Sequence, residues 1–241
     1  MTELREAVVT DSVLSYLSTP SGASVAVITL TPEDASRPAV LGPKGLERLD
    51  STLDELSSEI GPRNISAVIV AGSGKAFCAG ADLDMMSSIR DRAQSLELAQ
   101  QGHRVLSRLS SLSVPTIAEI NGVALGGGFE LALHCTYRLA ASSVRAIGLP
   151  EVSLGLIPGW GGATLLPRLV DFATAQLVLL DNPVKGNTLV TATKAHELGL
   201  VDAVADDVHL RDDVVRFIDD GMPVVRQSHT VSEDDIAGLH A

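Results

Sequence analysis

Residues 121–130 read Asn121-Gly122-Val123-Ala124-Leu125-Gly126-Gly127-Gly128-Phe129-Glu130, three consecutive glycines set just before a glutamate. Glycine lets a ligand approach the main chain and leaves backbone N–H groups open. The apolar run Leu131-Ala132-Leu133 follows at once, which predicts a helix beginning at the glycines. A helix start offers unpaired N–H donors and a partial positive charge. Such donors can hold an oxygen that becomes negative during a reaction. Glu130 lies three residues after Gly127, near one turn along the same face, so donor and carboxylate would face one small volume. Glycines alone more often mark a turn that packs a helix tightly on a strand. Other segments change that balance.

Upstream lies Gly72-Ser73-Gly74-Lys75-Ala76-Phe77-Cys78-Ala79-Gly80-Ala81-Asp82-Leu83-Asp84, after the β-branched run Ser66–Val70 that reads as a buried strand. Downstream, Leu149-Pro150-Glu151-Val152-Ser153-Leu154-Gly155-Leu156-Ile157-Pro158-Gly159-Trp160-Gly161-Gly162 contributes a second glutamate on a segment punctuated by proline and glycine. In kind, order and separation these three segments resemble the enoyl-CoA hydratase/isomerase, or crotonase, family. The similarity runs from about Ser24 to about Val204. Ala195-His196-Glu197-Leu198-Gly199-Leu200-Val201-Asp202 adds a weaker match late in the chain.

The resemblance implies an α/β fold: a crotonase-like spiral of β-β-α turns with a shortened helical C-terminal region. It divides the chain into an acyl-CoA-binding core over 1–204 and a short C-terminal helical segment with a polar tail over 205–241. It assigns an oxyanion hole to the backbone N–H groups of Ala81 and Gly127. Bottom-up reasoning agrees most readily on Gly127, where close approach requires no side chain. One such donor is typically worth roughly 2.7–4 kcal/mol of transition-state stabilisation. Glu130 and Glu151 occupy the two glutamate positions of the family's hydratases. Glu130 is expected to deprotonate water and Glu151 to protonate C2 of a 2-enoyl-CoA thioester, with the roles reversed for dehydration. Two carboxyls can divide acid and base work when their surroundings separate their protonation states. Ala79, Gly80, Asp82 and Leu83 fall where the family holds the adenine end of coenzyme A, and Gly159 where it has an N–H near the water. Asp82 and Asp84 read as loop-fixing or solvated rather than catalytic, and Trp160 as core packing more than acyl-pocket wall. No metal and no separate cofactor are implied, because coenzyme A is part of the substrate. A homotrimer or dimer of trimers is implied.

Size and composition fit one domain: 241 residues, 45% hydrophobic but only 3% aromatic, hence an aliphatic core. Cys78 and Cys135 show neither disulfide nor zinc spacing, and a reducing cytoplasm fits them. No signal peptide and no apolar run long enough to span a membrane are read from the sequence. Eighteen Lys and Arg against thirty Asp and Glu give a net charge of −12, which argues against nucleic acid. The same field repels anionic coenzyme A at long range, so phosphate contacts must be local. Lys75, Arg90 and Arg92 are the nearby cations, although each reads first as a solvated surface charge.

The positioning elements follow from pattern. Strands are predicted over 13–17 and 25–30, joined through Pro20-Ser21-Gly22. Pro43 opens a helix with Leu46, Leu49, Leu53 and Leu56 at helical spacing. Further strands are expected over 67–70, 115–120, 137–140, 146–147 and 203–204. A long helix is expected over 87–112, with Leu96, Leu98, Val105, Leu106 and Leu109 inward. Shorter helices are expected over 165–170, provided Pro167 falls in the first turn, and over 173–180, 194–198 and 210–218. Asn182-Pro183 reads as punctuation, and the tail after Gly221 as polar and mobile.

Other chemistries fail on residue type. Gly72-Ser73-Gly74-Lys75 is followed by Ala76, not Ser or Thr, so no Walker-type phosphate loop forms. The six histidines lack metal spacing, and no serine occupies a Gly-x-Ser-x-Gly elbow. His134 and His196 read as packing or helix-surface residues. The resemblance leads one to expect several further helices after Val204, where this sequence offers Ala205–Ala241; the early Asn-bearing loop is replaced by Ala39-Val40-Leu41, and Leu165-Leu166 replaces the usual glutamine-arginine pair. Double-bond isomerisation and non-catalytic acyl-CoA binding therefore stand beside hydration as alternatives.

Overall fold

The computed structural model describes residues 6–222, 229, 230 and 232. Most of the polar tail expected after Gly221 lies outside the described residues. Two parallel-strand layers organise the rest. The hairpin β1 (Thr10–Ser18) and β2 (Ser24–Pro32) is antiparallel and turns through Gly22, whose φ of +91° suits glycine. Helix α1 (Pro43–Glu59) then buries Leu46, Leu49, Leu53 and Leu56 completely. Each such leucine contributes roughly 1.5–3 kcal/mol.

From β3 onward, successive strands alternate between layers. β3 (Ile65–Gly72) joins the large sheet and β4 (Ala76–Cys78) the small one. Helices α2 (Leu83–Met86) and α3 (Arg92–Ser110) follow. β5 (Thr116–Ile120) returns to the large sheet and β6 (Val123–Leu125) to the small one, before α4 (Gly127–Leu133). β7 (Tyr137–Ala141) and β8 (Ile147–Gly148) repeat the step. The large sheet runs β1-β2-β3-β5-β7-β9, closed by β9 (Ala203–Ala205), and the small sheet β4-β6-β8. All pairings among these strands after the first hairpin are parallel, and an isolated antiparallel bridge joins Ile147 to Val190. This is the expected spiral of β-β-α turns.

The glycine-rich segments sit where the chain leaves the small sheet, and Asn121 ties two of them together. Its amide nitrogen donates to the Gly72 carbonyl at 2.9 Å, and its oxygen accepts from the Gly72 N–H at 3.1 Å. Helices α5 (Gly162–Leu169), α6 (Phe172–Gln176), α7 (Asn182–Val184) and α8 (Ala192–Glu197) complete the middle of the chain. Helix α9 (Leu210–Asp219) buries Leu210, Val214 and Ile218, and Arg211 pairs with Glu119 of β5.

Four expectations need correction. Strands β4 and β6 were read as loop, because three residues are too few to show alternation. Leu96 is 48% exposed: two residues from Leu98 is about 200° around a helix, so both cannot face the core. Helix α5 opens at Gly162, which puts Pro167 past the first turn, two residues before the helix ends. Asn182-Pro183 does not break its helix. A wider turn over Leu177–Asp181, with the Asn182 N–H reaching back to the Leu177 carbonyl, carries the chain from α6 into α7.

Candidate active site

The three glycine-rich segments converge on a cleft with a cavity volume of about 220 Å³. Ala79, Gly80, Ala81, Leu83, Gly127, Glu130, Glu151 and Gly159 all line it. Asp82 does not. Its buried carboxylate caps α2 by accepting from the Met85 N–H at 3.1 Å and also accepts from the Ala7 N–H at 2.6 Å. That is a loop-fixing position. Lys75, Arg90 and Arg92 are exposed and stand outside the lining, and Arg90 turns back to donate to the Ser87 carbonyl at 2.7 Å.

Two main-chain donors are open at this cleft. The Gly80 carbonyl accepts from the Leu41 N–H at 2.8 Å, and the planar trans peptide then aims the Ala81 N–H the opposite way. Gly126 adopts φ +50° ahead of α4, which leaves Gly127 in the first turn. Among the described residues no acceptor meets the N–H of Ala81 or of Gly127.

The carboxylates sit beside them. Glu130 is 2% exposed, and its Oε1 accepts from the Trp160 and Gly162 N–H groups, each at 2.8 Å. Burial pushes its pKa up to about 7, against the downward pull of those two donors. Glu151 opens a short 3-10 turn over Glu151–Leu154, and its Oε2 is buried with no partner among the described residues. Burial likewise raises its pKa to about 7, and the neighbouring Glu130 charge adds to the rise. The two groups therefore share one electrostatic site. Either can hold a proton near neutrality.

The wall is apolar, with Met86, Ile89, Leu98, Leu154, Leu156 and Ile157 lining it. Trp160 both packs and lines. It is 5% exposed, and a Cβ at Gly102 or Gly127 would lie 2.2 or 2.3 Å from its ring. Sequence reading favoured packing over lining. The signal it passed over was Gly102 inside a long helix, where glycine costs about 1 kcal/mol unless something approaches closely. The N–H groups of Trp160 and Gly162 that hold Glu130 were also missed, since a backbone donor leaves no side-chain trace. Among the described residues no cluster could hold a metal ion, and no helix is long and apolar enough to cross a membrane.

Fold and site together define a crotonase-type spiral with two neighbouring acids beside open amides. Residues 21–229 match the family model described as enoyl-CoA hydratase/isomerase, and the chain belongs to that family. It is 40% identical over 184 residues to a Bacillus subtilis protein named "probable enoyl-CoA hydratase", covering 76% of this chain and 66% of that one. It is 44% identical over 156 residues to the fatty acid oxidation complex subunit alpha of Shewanella loihica, covering 64% of this chain and 21% of that one. The chain thus spans just under two thirds of the first relative and about a fifth of the second. Among solved structures, an enoyl-CoA hydratase from Bacillus anthracis superposes with a TM-score of 0.75 at 32% identity, covering 87% of this chain and 76% of that one.

Proposed function

We propose that this chain is an enoyl-CoA hydratase, adding water reversibly across the C2–C3 double bond of a 2-enoyl-CoA thioester. The observation that carries the reading is the pairing of Glu130 and Glu151, both with pKa values raised to about 7, in one apolar cleft beside two unpaired amides. The thioester carbonyl oxygen sits against the Ala81 and Gly127 N–H groups. Glu130 takes a proton from water as its oxygen bonds to C3. The π pair moves through C2 towards the thioester oxygen as an enolate, held by the two donors. The pair then returns to C2, which takes its proton from Glu151. Dehydration runs the same path backwards with the roles exchanged.

One proton shared between two carboxyls is the working state, and a coupled pair near pH 7 supplies it. The adenine end of coenzyme A runs along the Ala79–Leu83 loop. A homotrimer or dimer of trimers is the assembly proposed, and light scattering tests it. The deciding experiment incubates purified protein with crotonyl-CoA and, separately, with a 3-enoyl-CoA. Loss of the conjugated-thioester absorbance with a 3-hydroxyacyl-CoA product supports hydration. Isomerisation alone would support the neighbouring reaction of the family, and binding without turnover an acyl-CoA-binding subunit.

A further inference from the structure

We propose that His134 is a positioning residue for Glu130: the two side chains together clamp the Trp160–Gly162 turn and so aim the carboxylate into the cleft. The inference rests on the reading of Glu130 as the base. The two residues stand one helical turn apart, and the His134 N–H donates to the Glu130 carbonyl at 3.1 Å. Glu130 Oε1 takes the N–H groups of Trp160 and Gly162. His134 Nε2 lies 2.7 Å from the Trp160 carbonyl oxygen. A carbonyl only accepts, so Nε2 carries the proton and the imidazole donates. Trp160 is therefore held on both sides of its backbone, its N–H by Glu130 of α4 and its C=O by His134 at the end of that helix.

The ring itself is anchored from α3. Ser110 Oγ lies 3.1 Å from His134 Nδ1 and 2.9 Å from the His134 carbonyl. Between the clamped residues, Gly161 has φ +124°, and a Cβ there would lie 2.7 Å from His134 Nε2. The tight turn and the imidazole fit each other. His134 is 4% exposed, and burial lowers its pKa, with the His103 ring 6.3 Å away in an edge-on contact adding to the effect. Two further titratable groups face the cluster: Glu151 against Glu130, and His103 against His134.

Losing the imidazole leaves the Trp160 carbonyl buried without its donor. The turn relaxes, and the two N–H groups that pull the Glu130 pKa down lose alignment. Compared with wild type, His134→Leu should lower kcat for crotonyl-CoA about 10- to 100-fold, the scale of a small misplacement, with KM within about twofold. The acid limb of the kcat–pH profile should move upward by roughly half a unit or more. His134→Gln, whose amide N–H can replace Nε2–H, should recover most of both. A folded His134→Leu protein with wild-type kcat and an unmoved acid limb overturns the proposal. So does an equal loss in both variants with the limb unmoved. If His134→Leu fails to fold, Ser110→Ala should show the limb shift in milder form, and its absence there overturns the proposal. Carbon-13 NMR titration of Glu130 without substrate separates the two readings. A higher Glu130 pKa in His134→Leu supports the clamp even if wild type fails to hydrate crotonyl-CoA, a failure that removes only the hydratase reading.

Discussion

Glu130 stands on a helix with its neighbours fixed, whereas Glu151 opens a short 3-10 turn whose next residues, Leu154 to Ile157, face solvent. Both have their pKa raised to about 7, with burial as the leading cause. The opposing forces differ. Two main-chain N–H groups restrain the rise at Glu130, while at Glu151 only its own N–H does so, one oxygen has no partner and the Glu130 charge pushes the pKa further. A base that must aim at a small water gains from fixed geometry. An acid that must follow a carbon changing from planar to tetrahedral gains from a looser support.

The contrast can be broken by removing one carboxyl at a time. Glu130→Gln keeps an oxygen for the Trp160 and Gly162 N–H groups but cannot accept a proton. Its kcat for crotonyl-CoA hydration should fall by about 10²–10⁴-fold with the melting temperature nearly unchanged, as steady-state kinetics and calorimetry would check. The kcat–pH profile of the unaltered protein should be bell-shaped with its maximum near neutrality. Below the lower limb both carboxyls are protonated and no base remains; above the upper limb both are ionised and no acid remains. A flat profile between pH 5 and 9 would remove the coupled pair from the mechanism.

Glu151→Gln sharpens the comparison through stability. A carboxyl whose pKa is raised on folding is protonated more readily in the folded state. Its ionisation costs stability that accumulates as pH rises from the unfolded value, 4.5, through about 7. Replacing it with neutral glutamine removes that cost. The variant should gain little at pH 5 and about 1–2 kcal/mol at pH 8, after discounting for the partial exposure of the turn. Urea unfolding at the two pH values would measure the difference, and equal gains at both would refute the raised pKa.

How far the sequence carried depends on where each signal resides. The inward leucines of α1 and the β-branched run of β3 are side-chain patterns, and they are legible because burial selects residue type at a fixed period. Glu130, Gly127 and Glu151 were legible through motifs. Two strands of the small sheet, β4 and β6, were not, since they are three residues long and owe their form to parallel neighbours. The donors to Glu130 and the clamp by His134 are tertiary facts: a histidine on an apolar helix looks the same whether or not a remote carbonyl meets it. Leu96 was misplaced because a roll of leucines was read as one face without counting angles.

The same two regions predict opposite tolerance for one added methyl group. At Gly127 a Cβ would lie 2.3 Å from the Trp160 ring, so Gly127→Ala must displace the ring that packs against Gly102 and whose backbone holds Glu130. At Gly159 the nearest atom to a Cβ is the Ile157 carbonyl oxygen at 3.7 Å, an ordinary contact. Gly159→Ala should therefore change stability by less than about 0.5 kcal/mol. It keeps the backbone N–H, so if that N–H orients water, kcat should also stay within about twofold of the parent. Gly159→Pro, which deletes the donor, should then lower kcat more than Gly159→Ala does, at unchanged KM. Equal kcat in the two variants would mean that this turn shapes the cleft without touching the water. The binding of water would then rest on the fixed side of the site, with Glu130 alone.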